Sequence, residues 1–396
     1  MFAQIGEHRP RYFAVLDLTS GYHQVEVANP SRALTAFITT MGIFQFKRLP
    51  MGLKGAPAYF QKMMSGIVLH GLVFSICEIY LDDCLVFGKT KDEFIDNLRQ
   101  VLLRFRKYNL TCNPDKCRFG MSQVEYVGVQ IDENGLSFST EKKDSVMNFP
   151  KPEIQKQLKS FLGLANYFRT HVRNHSEIVR PLEGMLRDYH RSRKLVWSEI
   201  AIAAFEAVKV AIHECQTLSF LDEKGDIHFK SDASYYGIGV YLAQIVDDKE
   251  QPISFLSKTL SKEQLNWKVP EKECYAIWFG LKKLEYLIRD VRFTLHTDHR
   301  NLTFLKTAGS DKVMRWKLEI QEYDCKVIFI KGEDNHIADA FSRLCAIETE
   351  NEEENLCLVA KIQFYVSNKV WKVIEQCHNA KSAHGGGTKN NTPFTN

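Results

Sequence analysis

The residues of this chain best suited to chemistry are its acids. Tyr80-Leu81-Asp82-Asp83 sets two adjacent carboxylates between apolar runs, Ile76 to Ile79 before and Cys84 to Phe87 after. That pattern reads as a β-hairpin whose tight turn holds both aspartates at its tip. Adjacent acids repel, so a fold that forces them together calls for a cation. An ordinary turn accounts for the same four residues, because Asp is a favoured turn residue. Upstream, Phe13 to Leu16 is a short apolar run consistent with a buried strand, and Asp17 stands where that strand should end. A third carboxylate at a strand end can complete a site for two magnesium ions. Such ions lie roughly 3.5–4 Å apart and clamp the attacking and leaving oxygens of a phosphoryl transfer. Between these segments, Leu49 to Gln61 is rich in Gly and Pro and reads as a loop opening onto a helix.

A second acidic set follows a change of pattern near Leu221. Gly225 to Ser234 reads as a strand carrying Asp232 inward, and Gly237 to Gln244 as its paired strand. Glu271 to Leu287 has helical spacing, with Cys274, Ile277, Trp278, Leu281 and Leu284 on one face and Glu273 in the first turn. Val291 to Thr297 is another strand, ending at Asp298, and Asp339 lies in a segment, Asp334 to Arg343, that reads as a helix start. Taken singly, each of these acids would be an exposed surface carboxylate, the usual place for Asp and Glu.

A length of 396 residues allows two or three domains, each with its own core. A hydrophobic content of 44% indicates globular protein through most of the chain. The net charge of +4 makes no general magnet for nucleic acid, so binding would need local basic faces. Arg99 to Lys107, Lys116 to Arg118 and Arg187 to Lys194 are candidates, and solvated helix faces explain them equally well. The ten cysteines lack the dense spacing of a secreted disulfide scaffold, which favours a reducing cytosol or nucleus. Cys112 and Cys117 have no matching second pair, so plain thiols are favoured over zinc. The apolar stretch Gly66 to Leu81 is short and contains His70 and Glu78, which argues against a membrane span. No secretory signal is visible, since His8 and Arg9 interrupt the N-terminus.

In this order the segments resemble the reverse transcriptases of gypsy-type long-terminal-repeat retrotransposons. Asp17-Leu-Thr-Ser-Gly-Tyr-His-Gln is similar to the family's first catalytic motif, Leu49 to Gln61 to its template-and-nucleotide motif, and Tyr80 to Asp83 to its metal-binding turn. Val124 to Val129 resembles the primer-grip hairpin and Lys159 to Arg169 the thumb segment. Lys230-Ser-Asp-Ala-Ser, Glu271 to Ile277, Thr297-Asp-His and Ala338 to Arg343 match the ribonuclease H part of the same family. The resemblance implies an α+β fold: a palm with a fingers remnant over 1–135, a thumb and connection over 136–221, and a ribonuclease H-like α/β domain with a mixed sheet over 222–345. Residues 346–396 would be an acidic linker and the start of an integrase zinc module.

The implied function is RNA-directed DNA synthesis, a nucleotidyl transfer, coupled to endonucleolytic removal of RNA from the hybrid. Asp17, Asp82 and Asp83 would hold one pair of magnesium ions, and Asp232, Glu273, Asp298 and Asp339 another, with manganese a substitute. Tyr22 would be the steric gate against a 2′-hydroxyl, and Met51 and Gly52 would line the nucleotide pocket. Implied partners are an RNA template, a DNA primer, the RNA–DNA hybrid, deoxynucleotides, and the protease and integrase segments of a parent Pol polyprotein. The implied location is a cytoplasmic virus-like particle, the nucleus, or both.

The sequence departs from the family at several points. Val129 stands where a His is usual, and Met51 where related enzymes carry Gln. Sixteen residues precede Asp17, leaving no room for a full fingers region with its cations, so weakened polymerase activity is expected. Two rivals follow, a hybrid-cleaving nuclease that no longer extends primers and a non-catalytic nucleic-acid-binding remnant. Glu348 to Glu354 reads as a solvated linker. His378 and His384 lack the two downstream cysteines of a zinc module, and no Asp-Thr-Gly or Asp-Ser-Gly protease motif occurs.

Overall fold

The computed structural model describes residues 1–187, 189–190, 193–222, 224–297 and 311–329. Its first unit is built on a four-stranded sheet. A short helix α1 (Phe2–Glu7) leads into β1 (Tyr12–Asp17), where almost every side chain is at least half-buried because both faces of the strand are covered. After α2 (Asn29–Arg32) comes a small ribbon, β2 (Phe37–Thr39) and β3 (Gly42–Phe44). Helix α3 (Ala56–Met63) opens with Pro57 in its first turn, which suits a position where no backbone donor is needed. Strands β4 (Cys77–Tyr80) and β5 (Asp83–Gly88) form the expected hairpin, followed by α4 (Lys91–Lys107) and β6 (Arg118–Met121).

The strand order is β4-β5-β1-β6, all antiparallel, so β1 lies between β5 and β6. One face packs Leu16, Val86 and Cys84 against Phe60 and Met64 of the α3 region and Val101 and Phe105 of α4. The other packs Phe13, Leu85 and Phe87 against Ile5 and Tyr126. This double covering explains the unbroken apolar run in β5. Helix α4 is capped by Thr90, whose Oγ1 accepts the Glu93 amide. Its acids, Asp92 and Glu93, stand in the first turn and Arg104, Arg106 and Lys107 in the last, as the helix dipole favours.

The middle of the chain is mostly helical. Strands β7 (Val124–Tyr126), β8 (Val129–Ile131) and β9 (Gly135–Ser137) precede α5 (Thr140–Met147), α6 (Gln155–Tyr167), α7 (His175–Gly184) and α8 (Glu199–His213). Leu158, Phe161, Phe168, Leu182 and Phe205 form their shared core. The chain then returns in β10 (Leu218–Ser219), which pairs with β9, so the exit from the helices is stitched to the sheet β10-β9-β8-β7.

The last unit is a five-stranded sheet of order β13-β12-β11-β14-β15. Strands β11 (Asp226–Ala233), β12 (Gly237–Val246) and β13 (Lys249–Thr259) form an antiparallel meander. After α9 (Lys262–Leu265) and α10 (Val269–Ile288), β14 (Phe293–Thr297) joins β11 in parallel; α11 (Asp311–Ile320) then leads to β15 (Cys325–Phe329), parallel to β14. The sheet is therefore mixed, as the resemblance implies. Helix α10 packs Ile277, Leu281 and Leu284 on Ile227, Phe229, Val240 and Leu295. At Gly280 a Cβ would come within 2.6 Å of Phe229 and 2.8 Å of Val240, so only glycine lets helix and sheet approach this closely. Helix α10 starts two residues before the predicted Glu271, because Val269-Pro270 forms its opening turn. Glu273 thus falls in the second turn rather than the first.

Candidate active sites

The first three acids are brought together by strand register. Asp17, the last residue of β1, lies opposite Asp83, the first of β5. Tyr80 pairs with Asp83 across the hairpin, leaving a two-residue turn of Leu81 and Asp82. The turn is thus tighter than two aspartates at its tip: Asp82 occupies it and Asp83 opens the strand. Leu81 has φ of 55°, a left-handed conformation that costs a non-glycine residue on the order of 1–3 kcal/mol. Gln61 of α3 holds that conformation. Its Nε2 donates to the Ile79 carbonyl at 2.9 Å and its Oε1 accepts the Leu81 amide at 2.8 Å. The Asp82 carbonyl in turn accepts the Leu18 amide at 3.2 Å, tying the turn to the end of β1.

The electrostatics are those of crowded like charges. Burial pushes the Asp82 carboxyl up, and Asp83 and Asp17 push it further. Burial and then Asp17 do the same to Asp83, with Lys116 pulling the other way. Lys116 Nζ stands 3.7 Å from Asp17 Oδ2. Asp82 Oδ1 is buried and has no hydrogen-bond partner. A Cβ at Gly21 would collide with that oxygen and come within 3.1 Å of Phe60 Cζ, so glycine keeps the space beside it open. Three carboxylates with one buried bare oxygen fit a hard cation with oxygen ligands. Among the described residues no three His, Cys, Asp or Glu side chains close on one point as a finished cage, so the acids form an open cluster.

Tyr22 lies in the turn after β1, its ring 5.0 Å from that of Phe60, and burial followed by the Asp82 and Tyr80 charges pushes its phenol up. It is therefore both a packing residue and a neighbour of Asp82. Met51 and Gly52 stand on the loop before α3, Met51 67% exposed and Gly52 at φ 94° with open space around it. Sequence reasoning named Gln61 only as the end of a motif and passed over Gly21, while Lys116 was one residue of a basic face.

At the second site Asp232 sits near the end of β11 opposite Gly239, and Glu273 of α10 is 3% exposed, an unusual place for an acid. Lys272 Nζ, next to Glu273, donates to the Tyr235 carbonyl at 3.0 Å, just beyond Asp232. Asp298 and Asp339 lie outside the described residues, as do Asp334 to Arg343, the acidic linker, His378 and His384. Along the same strand β11, His228 Nδ1 lies 2.7 Å from Nε2 of His296 on β14, and Lys230 donates to Glu250 of β13 at 2.9 Å, a polar patch the sequence did not announce.

Residues 4–131 match the family model described as "Reverse transcriptase (RNA-dependent DNA polymerase)", and residues 222–323 that of the "RNase H-like domain found in reverse transcriptase". The chain is 34% identical over 345 residues to the "Retrovirus-related Pol polyprotein from transposon opus" of Drosophila melanogaster, covering 84% of this chain and 34% of that protein. It is 31% identical over 359 residues to the Pol polyprotein from transposon gypsy of the same organism (88% and 34%), and 31% over 380 to the "Transposon Tf2-3 polyprotein" of Schizosaccharomyces pombe (93% and 28%). In fold it is similar to the foamy viral protease-reverse transcriptase solved with double-stranded DNA, with a TM-score of 0.71 at 21% identity over 83% of this chain and 59% of that one. The same enzyme with an RNA/DNA hybrid gives 0.69 at 22%, over 84% and 46%. The chain carries a reverse transcriptase domain and a ribonuclease H-like domain, and its relatives are retrovirus-related Pol polyproteins of transposons. It spans about a third of the length of the relatives it matches.

Proposed function

We propose that this segment synthesises DNA on an RNA template and cleaves the RNA of the resulting hybrid. The observation that carries the reading is the meeting of Asp17, Asp82 and Asp83 at one sheet end, with Asp82 Oδ1 buried and bare. Magnesium bound by these acids would supply the positive charge that stabilises the attacking and leaving oxygens. The chain's own part is positional. Asp17 and Asp83 present carboxylates from adjacent strands, Gln61 locks the turn that aims Asp82, and Gly21 leaves the approach clear. Tyr22, propped on Phe60, would meet the sugar of the incoming deoxynucleotide, and the exposed Met51 and Gly52 would line the nucleotide pocket.

The ribonuclease H reading assigns Asp232 and Glu273, with Asp298 and Asp339, to a second magnesium site. The foamy viral enzymes were solved with DNA duplex and with RNA/DNA hybrid, which supports the hybrid as the shared substrate of both sites. We divide the chain into palm and fingers (1–135), thumb and connection (136–221), ribonuclease H-like domain (222–345) and tail (346–396). It would act beside the protease and integrase of a parent polyprotein, in a cytoplasmic virus-like particle, the nucleus, or both. None of the described helices is long and apolar enough to cross a membrane. The test is extension of a labelled DNA primer on an RNA template with magnesium and deoxynucleotides. Extension is expected, and it should vanish in Asp82→Asn; extension that persists in that variant would remove the palm assignment.

A further inference from the structure

The hairpin turn that follows Asp232 is gripped from outside its own domain. Ser234 to Gly237 closes β11 onto β12: the Ser234 amide donates to the Gly237 carbonyl at 2.8 Å, and the Gly237 amide to Ser234 Oγ at 2.9 Å. Ser234 Oγ donates in turn to Glu177 Oε1 at 2.6 Å, and Glu177 belongs to α7, in the connection region, 57 residues earlier in the chain. The guanidinium of Arg180, one turn along α7, lies 3.3 Å over the ring of Tyr236. Asn174, the N-cap of α7, covers Gly239, the residue opposite Asp232; a Cβ there would come within 2.7 Å of Asn174 Oδ1. Ser176 adds two bonds to Ser257 of β13, its amide at 2.9 Å and its hydroxyl at 3.0 Å. Helix α10 reaches the same turn through Lys272, adjacent to Glu273; the Lys272 Nζ donates to the Tyr235 carbonyl.

We propose that Glu177 is a positioning residue for the ribonuclease H site, fixing the Ser234–Gly237 turn so that Asp232 meets Glu273 in register. The inference rests on reading those two acids as catalytic. Glu177 touches neither substrate nor the reacting atoms, and its leverage comes from geometry. The turn it holds joins the strand bearing Asp232 to the strand opposite it, while Lys272 ties that turn to the helix of Glu273. Burial makes the grip exacting: Glu177 Oε2 is buried without a partner, so Ser234 is the hydroxyl that the side chain engages.

The test uses the full chain with Glu177→Ala, Glu177→Gln and Ser234→Ala. It reads amide hydrogen exchange over residues 232–239, and kcat and KM for cleavage of an RNA–DNA hybrid with magnesium. In Glu177→Ala, exchange at the Ser234 and Gly237 amides should rise about tenfold. The kcat for cleavage should fall about tenfold with KM within about twofold, and primer extension should be unchanged. Glu177→Gln keeps an oxygen for the Ser234 hydroxyl and should recover most of both, and Ser234→Ala should match Glu177→Ala. Wild-type exchange and cleavage in Glu177→Ala would overturn the proposal. So would faster exchange spread evenly over the domain, which marks a loss of stability rather than of position. A wild-type chain that cuts no hybrid would sink the catalytic reading instead, while the exchange rates still decide whether the grip exists.

Discussion

Gln61 and Leu81 are twenty residues apart, yet the Gln61 carboxamide accepts the Leu81 amide and holds that leucine left-handed beside Asp82. A side chain on α3 therefore sets the shape of the acidic turn. Gln61→Ala removes two hydrogen bonds to backbone, at about 0.5–1.5 kcal/mol each. We expect a modest fall in melting temperature and a drop in primer extension of about tenfold or more, since small displacements at a reacting centre weigh heavily. Steady-state extension kinetics check it, and wild-type kcat would show that the turn holds itself.

Gly21→Ala places a methyl group against Asp82 Oδ1 and Phe60. Extension should fall about a hundredfold while hybrid cleavage stays within twofold, because the second site belongs to another sheet. Parallel assays on one preparation separate this outcome from general misfolding, which would lower both.

Asp82→Asn removes one of three crowded charges. Its melting temperature should rise in the absence of divalent ions while extension is lost, the trade expected where a site stores repulsion for function. Thermal unfolding in chelator checks the sign. Added magnesium should stabilise the wild type more than the variant.

Glu78 of β4 is 2% exposed, its Oε1 is buried without a partner, and burial pushes its carboxyl up to about 7. The folded protein thus keeps the proton that the unfolded chain loses near pH 4.5. Stability is unaffected below that value, declines as pH rises from about 4.5 to about 7, and stays reduced above. Over the full window the loss is on the order of 3 kcal/mol. Glu78→Gln should flatten the profile and be more stable than wild type at pH 8. Urea unfolding at pH 5 and 8 decides it, and parallel profiles for the two proteins would contradict the assignment.

What could be read in the sequence was what local pattern controls. The hairpin around Asp82 and Asp83, the strand before Asp17, and the meander carrying Asp232 follow from apolar runs and turn residues a few positions apart. Helix α10 starts before the helical period that begins at Glu271, because Pro270 in its first turn needs no backbone donor. The contacts that aim the acids were not legible, because each joins distant segments: Gln61 to Leu81, Lys116 to Asp17, Glu177 to Ser234. Nor could the left-handed Leu81 be foreseen, since leucine rarely adopts that conformation and does so here under the hold of another helix.

Two independent magnesium-dependent sites are proposed on one chain, and a crossed pair of substitutions tests them most directly. Primer extension and hybrid cleavage would be measured for wild type, Asp82→Asn and Asp232→Asn in the same buffer with magnesium. Asp82→Asn should lose extension and keep cleavage, and Asp232→Asn should do the reverse. Both activities surviving in both variants would contradict the account.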